Sequence, residues 1–247
     1  MLNLTAKERI IVPVDTSDID QAIALVSSLK PYVGMFKFGL ELINSIIVQI
    51  ITSNSLSSST KRVQILFEIV EGQLFWDGKW ADISNTVGKA AKTLQPIKPM
   101  FINLHASSGK EAIKSAVENK GSSKVLGVTV LTSIDSEECF SIFGSAPSNK
   151  VMQFAKNLSV YGADGIICSP QELTLLRSFD NLIKVTPGVR PLWAAIDDQK
   201  RILTPREAVE AGADYLVIGR PITKPPAEIG SPVNAVEKIV EELEAVL

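Results

Sequence analysis

The sequence is poor in the residues on which several common catalytic and structural devices depend. Its 247 residues include one histidine, His105, and two cysteines, Cys139 and Cys168. A single histidine argues against a zinc site and against Ser/His or Cys/His catalysis. Two cysteines without a CxxC pair are not a disulfide framework, and they fit a reduced, cytoplasmic setting. We expect both to be ordinary thiols and His105 to be a packing or supporting residue.

Strong charge and long apolar runs are also missing. The formal net charge is −2, so nothing global indicates a nucleic-acid or membrane partner, and an anionic ligand must be held by a local site. No uninterrupted run of about 18 apolar residues exists, which predicts no membrane span. The N-terminus lacks a basic region followed by a long apolar run, so we expect no signal peptide.

Short apolar runs recur along the whole chain, and we predict a strand in each. They are near-continuous rather than alternating, which is typical of parallel strands buried on both faces. Segments with helical spacing lie between them, such as TPREAVEAG, with Thr204 as N-cap and Pro205 at the first helical position. Eight strands alternating with helices predict one α/β domain over residues 1–247, a (β/α)₈ TIM barrel. The predicted strands cover residues 10–14, 34–39, 73–78, 100–105, 124–130, 164–169, 182–187 and 214–219.

One segment interrupts this alternation. SNSLSSST, residues 53–60, is polar and rich in serine, and we predict a surface loop insertion there. Because it precedes the third strand, we expect it at the rim of the barrel opposite the carboxyl ends of the strands.

Polar residues gather where the predicted strands end. In a (β/α)₈ barrel the active site lies at the carboxyl ends of the strands. A coherent polar set at those ends therefore predicts an active site. Its members are Asp15, Lys37, Asp77, Lys79, Asp82, His105, Thr132, Ser133, Arg190, Gly219 and Arg220.

Lys37 is the most informative member of this set. A lysine inside an apolar strand is costly to bury unless it is paired, and Asp77 can supply that pairing from inside the barrel. Asp77 and Lys79 are two residues apart, so they share a face if the strand continues through Lys79. The alternatives are a Lys37 that points outward between helices and an ordinary stabilising salt bridge.

The end of the chain offers a phosphate site. Gly219 ends the last predicted strand and Arg220 follows it, and loops after strands seven and eight commonly bind phosphate in this fold. Arginine suits phosphate because its planar fork donates two hydrogen bonds. The long polar loop after strand seven could donate from Gln199. The alternative is that Arg220 is a surface arginine.

Together these motifs resemble the orotidine 5′-phosphate decarboxylase family. They stand in family order and span residues 11–223: VDTSD, FKFGLEL, DGKWADISNTV, LHASSG, VTVLTS, TPGVRP, DDQKRILTP and GADYLVIGRPIT. The resemblance implies a carboxy-lyase of pyrimidine biosynthesis that converts orotidine 5′-monophosphate (OMP) into UMP and CO₂. It implies no cofactor and no metal.

The resemblance also assigns the charged residues. Lys37, Asp77, Lys79 and Asp82 match the family's charged tetrad, with Lys79 protonating C6 of the pyrimidine. In the family the last tetrad residue enters the site of the partner subunit, together with the residues that match Ile83 and Thr86, which implies a homodimer. Many bacterial members have His-Asp-Ile-Pro where this chain has Ala-Asp-Ile-Ser at 81–84, which leaves the tetrad intact.

Further positions match substrate contacts of the family. Asp15 and Lys37 match contacts to the ribose hydroxyls, and Thr132, with Ser133 beside it, matches a contact to the pyrimidine ring. Pro187 lies where the family lines the base and phosphate pocket. The phosphate contacts match Gln199, Gly219 and Arg220, with Arg190 close to them.

Two alternatives remain open on the sequence. The nearest is a metal-dependent hexulose-phosphate synthase or keto-gulonate-phosphate decarboxylase on the same barrel, which also carries an Asp-x-Lys-x-x-Asp stretch. Those enzymes use Mg²⁺ and an acidic residue near the second strand, where this chain has Lys37. The other alternative is an inactive barrel that binds nucleotides.

Overall fold

Eight parallel strands form a closed barrel in the part of the chain that the structure describes. The structure is a computed structural model, and it describes residues 3–52, 56–194 and 203–247. Each strand pairs with the next along the chain, and the last pairs with the first, which confirms the predicted (β/α)₈ barrel. The strands are β1 (Ile10–Pro13), β2 (Met35–Phe38), β3 (Leu74–Trp80), β4 (Phe101–His105), β5 (Lys124–Val128), β6 (Gly165–Ile167), β7 (Ile183–Pro187) and β8 (Tyr215–Val217).

Helices surround the barrel. The predicted helix start at Thr204 is confirmed, because its hydroxyl accepts from the backbone N–H of Glu207 and the Glu207 carboxylate accepts from the N–H of Thr204. Within the described residues, no helix is long and apolar enough to cross a membrane. The helices are α1 (Ile19–Leu29), α2 (Leu40–Thr52), α3 (Leu56–Ile69), α4 (Ser84–Thr93), α5 (Lys110–Asn119), α6 (Ser136–Phe143), α7 (Pro147–Tyr161), α8 (Pro205–Ala211), α9 (Arg220–Thr223) and α10 (Pro232–Glu244).

The barrel interior has an apolar layer below a polar one. Phe36 and Phe38 pack between β2 and the helices, so Lys37 points into the barrel as predicted. Two residues further along β2, β3 and β4 than the apolar layer, the inward side chains are Lys37, Asp77 and Asn103. The fold therefore places charge at the carboxyl end of an otherwise apolar interior. The apolar layer consists of Ile11, Met35, Phe75, Phe101, Leu126, Val185 and Tyr215.

The serine-rich segment differs from its prediction in two ways. Helix α3 begins at Leu56, so residues 56–60 are helical rather than a loop, while residues 53–55 lie outside the described residues. In addition, Arg62 of α3 forms an ion pair of 3.3 Å with Asp20, in the first turn of α1 just after β1. The start of α3 therefore lies toward the carboxyl rim and not at the opposite one. An extra helix, α2, causes the difference. It lies between β2 and α3 in the chain, so that α3 begins near the carboxyl rim and runs back to the amino end of β3.

The position of α2 follows from its contacts. Ser45 and Gln49 donate to the backbone carbonyl of Ser17, which lies in the loop after β1. Helix α2 thus packs beside the loop at the carboxyl end of β1. Helix α3 then packs on α1 and returns the chain to the amino end of β3.

Candidate active site

Three of the four predicted tetrad residues meet at the carboxyl rim of the barrel. Asp77 Oδ2 lies 2.9 Å from Lys37 Nζ and 2.6 Å from Lys79 Nζ. Asp15, after β1, lies 3.6 Å from Lys37 Nζ. The Asp77 side chain is 4% exposed and that of Lys79 is 33% exposed, so the carboxylate is enclosed while one ammonium faces the rim. The structure therefore has the lysine–aspartate–lysine array that the sequence predicts.

Lys79 reaches Asp77 by a route that strand alternation did not predict. The β3–β4 register shifts between Trp76 and Trp80, and Lys79 has a φ of 46°. This left-handed conformation is uncommon for a residue other than glycine. A Cβ on Gly78 would lie 2.8 Å from Nε1 of Trp80, so glycine is needed beside the two indoles. The irregular end of β3 therefore sets the direction of Lys79.

Asn103 is a member of the cluster that the sequence analysis missed. It is fully buried on β4. Its Nδ2 donates to Asp77 Oδ1 at 2.6 Å, and its Oδ1 accepts from the backbone N–H of Lys79 at 2.8 Å. A signal existed, because an asparagine inside the apolar run MFINLH needs hydrogen-bond partners when buried. It stands two residues after the inward Phe101, which gives it the same face.

The charges of the cluster act on its titratable groups. Burial by itself raises the pKa of Asp77, but the positive charges and hydrogen bonds of Lys37 and Lys79 outweigh it and hold the pKa below its ordinary value. Burial, followed by the charge of Lys79, lowers the pKa of His105, which ends β4. The cluster thus favours a charged Asp77 and a neutral imidazole beside it.

The fourth predicted tetrad residue lies apart from this cluster. Asp82 is exposed, and its Oδ1 accepts from the backbone N–H of Ile83 at 2.7 Å. Among the residues that the structure describes, no cation lies within ion-pairing distance of Asp82. Ile83 is 70% exposed, and Thr86, in the first turn of α4, is also exposed. Their contribution to a partner's site stays a prediction.

The predicted substrate-contact residues follow the carboxyl ends of other strands. Thr132 and Ser133 lie in an exposed turn after β5, and Pro187 ends β7. Arg190 is 5% exposed, and its backbone N–H donates to the carbonyl of Leu203 at 3.0 Å. Their roles toward a substrate stay predictions.

The predicted phosphate site is partly described. Gly219 lies two residues after the end of β8, and a Cβ there would lie 3.1 Å from Pro13 Cγ, so the chain passes close to β1. Arg220 is exposed at the first position of α9. Gln199 lies outside the described residues. In the described ranges, no group of three or more His, Cys, Asp or Glu side chains could hold a metal ion.

Fold and site together define a (β/α)₈ barrel with a buried aspartate between two lysines at its carboxyl rim. Residues 8–239 match the model of the orotidine 5′-phosphate decarboxylase / HUMPS family. The chain therefore belongs to this family.

Individual relatives agree over nearly the whole chain. The chain is 39% identical to orotidine 5′-phosphate decarboxylase of Heliobacterium modesticaldum, over 97% of each chain. It is 37% identical to the protein of the same name from Syntrophomonas wolfei, over 98% of this chain and 100% of that one. The crystal structure of orotidine 5′-phosphate decarboxylase from Lactobacillus acidophilus superimposes with a TM-score of 0.72 at 31% identity, covering 95% of this chain and 98% of that one.

Proposed function

We propose that this protein decarboxylates orotidine 5′-monophosphate to UMP and CO₂ without a cofactor, in pyrimidine biosynthesis. The observation that carries the proposal is the Lys37–Asp77–Lys79 cluster at the carboxyl rim, with 2.9 and 2.6 Å between Asp77 Oδ2 and the two ammonium nitrogens. It occurs in a chain whose relatives bear the name of that activity. A reduced cytoplasmic setting is part of the same proposal.

Lys79 is the proton donor in this mechanism. When the bond from C6 to the carboxylate breaks, the electron pair stays on C6 and CO₂ leaves. The pyrimidine gives that carbanion little resonance stabilisation, so a fixed positive charge beside it lowers the barrier. Nζ of Lys79 then transfers a proton to C6, which yields UMP, and water returns a proton to Lys79. The side chain suits this role because it is 33% exposed at the rim.

Asp77 and Lys37 orient Lys79. Asp77 Oδ2 lies within hydrogen-bonding distance of both ammonium groups, which limits the positions that Lys79 Nζ can occupy. Because its pKa is low, Asp77 carries a negative charge. That charge would repel the carboxylate on C6 of the substrate but would not repel neutral CO₂. Losing CO₂ therefore relieves repulsion as the reaction proceeds.

The remaining predicted residues would bind the substrate away from C6. Asp15 and Lys37 face the ribose hydroxyls, and Thr132, Ser133 and Pro187 surround the base. Binding energy from the distant phosphate would then serve the transition state. The phosphate contacts assigned here are Gln199, Gly219 and Arg220, with Arg190 nearby.

A homodimer completes the site in this proposal. Asp82, Ile83 and Thr86 are exposed in the single chain and would reach the partner's site. Specific activity should fall when the enzyme is diluted below the dimer dissociation constant, as followed by light scattering. Unchanged activity in a monomer would contradict the shared site.

An absorbance assay that follows OMP loss tests the proposed function directly. We expect turnover of OMP to UMP that is unaffected by EDTA. Activity that EDTA abolishes, or turnover of a hexulose phosphate instead, would favour the metal-dependent relatives. Binding of UMP without turnover of OMP would indicate the inactive nucleotide-binding barrel.

A further inference from the structure

Asn103 joins both ends of the irregular segment Asp77–Gly78–Lys79. At one end its Nδ2 donates to Asp77 Oδ1, and at the other its Oδ1 accepts from the backbone N–H of Lys79. Both bonds form in a fully buried position, where a lost partner is costly. One amide therefore contacts the carboxylate and the main chain of the proposed proton donor at the same time.

The first bond decides which Asp77 oxygen faces the lysines. Asn103 occupies Oδ1 at 2.6 Å, and Lys37 and Lys79 share Oδ2. A carboxylate held at one oxygen cannot rotate without breaking that bond. The amide thus selects the carboxylate orientation that the two ammonium groups require.

The second bond holds an unfavourable backbone conformation. Lys79 has a φ of 46°, a left-handed conformation that is unfavourable for a residue with a Cβ. Its N–H points at Asn103 Oδ1, 2.8 Å away, rather than into a regular strand ladder. The bond to Asn103 therefore favours the turn that brings Lys79 Nζ back over Asp77.

We propose that Asn103 is a positioning residue of the decarboxylation, which orients Asp77 and Lys79 by bridging the side chain of one and the backbone of the other. The inference rests on the proposed function and deepens it. Asn103 is fully buried and acts through Asp77 and Lys79, so it moves no proton itself. A shift of about 1 Å in a reacting group can lower the rate about 100-fold.

Two substitutions test this role, one with a loss that does not depend on pH and one with a loss that does. Asn103→Leu keeps the approximate volume and removes both bonds, and we expect kcat to fall about 100-fold at every pH with a smaller change in KM. In Asn103→Asp, a protonated carboxyl can still donate to Asp77 and accept from Lys79, but an ionised one can only accept and repels Asp77. We expect its kcat to recover toward the wild-type value as pH falls, by up to about tenfold per pH unit, the limit for one proton.

The charged groups around this position determine the new titration. They are Lys37 from β2, Asp77 and Lys79 from β3, His105 at the end of β4, and Asp15 beyond β1. Among the described residues, the substitution gives Asp77 a second carboxyl within hydrogen-bonding distance. The two carboxyl groups would titrate as a coupled pair. The rise of kcat at low pH in the Asn103→Asp profile, its acidic limb, would therefore report the pair and not one residue.

Thr186→Val is the matched control. Thr186 is also fully buried, its hydroxyl donates to the Cys168 carbonyl at 2.9 Å, and it points to the helix layer. We expect it to lower the melting temperature without adding an acidic limb to the kcat profile. Melting temperatures across the same pH range separate unfolding from loss of rate.

The outcomes distinguish the two proposals. Wild-type protein without turnover of OMP would overturn the proposed function. Active wild-type protein with an equally active Asn103→Leu variant would overturn the positioning role alone. Asn103→Leu and Asn103→Asp variants whose rate losses follow their loss of folded protein, with no acid recovery, would assign Asn103 a purely structural role and also overturn the inference.

Discussion

A lysine–aspartate–lysine cluster stands at each end of the barrel, and the two differ in how the carboxylate is held. At the carboxyl rim, Asp77 lies between Lys37 and Lys79 and accepts from the side chain of Asn103. Its hydrogen bonds come from side chains, and it lies inside the barrel. Such a carboxylate is oriented by residues that can be replaced one at a time.

At the amino end, Asp164 lies just before β6. It accepts from Lys120 Nζ at 2.5 Å and lies 3.4 Å from Lys124 Nζ. Its Oδ2 also accepts from the backbone N–H of Val125 at 2.8 Å. This carboxylate ties a helix end to the start of a strand. Two lysines and an aspartate thus connect chain segments at the amino rim. At the carboxyl rim, where barrel active sites lie, they form a side-chain array.

The largest expected difference between the two clusters is catalytic. Lys79→Ala should lower kcat by at least about 10⁴-fold, because it removes both the charge beside C6 and the proton donor. Lys120→Ala, at the opposite rim, should keep kcat within about a factor of two. Steady-state assays of both folded variants measure the difference. Substantial turnover by Lys79→Ala would contradict the catalytic role of Lys79.

The two carboxylates should also differ in what they contribute to stability. Asp77→Asn removes the enclosed carboxylate that pairs with both ammonium groups, although Lys37 keeps Asp15 at 3.6 Å, and it should lower the unfolding free energy by about 3 kcal/mol. Asp164→Asn should cost about 1 kcal/mol, because Lys124 is 53% exposed and the amide oxygen can still accept from Val125. Urea unfolding measures both. Equal losses of unfolding free energy would show that the two carboxylates contribute equally to stability.

Two arginines extend the comparison to ligand binding. Arg220→Ala should lower kcat/KM for OMP about 100-fold, because a guanidinium–phosphate contact is lost. With orotidine, which lacks the phosphate, the variant and the wild type should be equal. Arg177→Ala is the control, since Arg177 donates to the Glu210 carbonyl and lines a cavity at the amino end. An unchanged kcat/KM for Arg220→Ala would contradict the phosphate assignment.

The smallest expected effect is on acid stability. Because the pKa of folded Asp77 lies below its ordinary 3.8, the unfolded chain binds more protons between the two values. The stability that Asp77 contributes is therefore present above about pH 3.8 and is lost as pH falls through the lower pKa. Below pH 5, the melting temperature should fall less steeply with decreasing pH for Asp77→Asn than for the wild type. Parallel declines would place the acid sensitivity elsewhere.

The parts of the fold that sequence could predict are those governed by local patterns. Continuous apolar runs marked all eight strands, and the Thr204–Pro205 cap marked the start of α8. Lys37 could be placed inside the barrel because its neighbours Phe36 and Phe38 have to face the helices. These inferences need only alternation and the cost of burying charge.

The parts that sequence could not predict depend on contacts between elements. The predicted path of the chain after β2 was wrong. Helix α2 packs beside the loop at Ser17, and no local sequence pattern shows that contact. Asn103 was missed because its importance lies in hydrogen bonds to β3, a separation of 26 residues from Asp77. Lys79 was placed correctly, but its left-handed backbone follows from the register shift and from the crowding at Gly78.

By itself, the sequence determined the barrel, the inward lysine and the spacing of Asp77 and Lys79, because burial and strand alternation act on neighbouring residues. Only the tertiary structure decided that Asp77 presents one oxygen to two lysines and the other to Asn103. It also decided that Asp82 stays outside the cluster of its own chain. The physical reason is that a carboxylate takes its orientation from partners on three different strands, and their distances exist only once the barrel has closed.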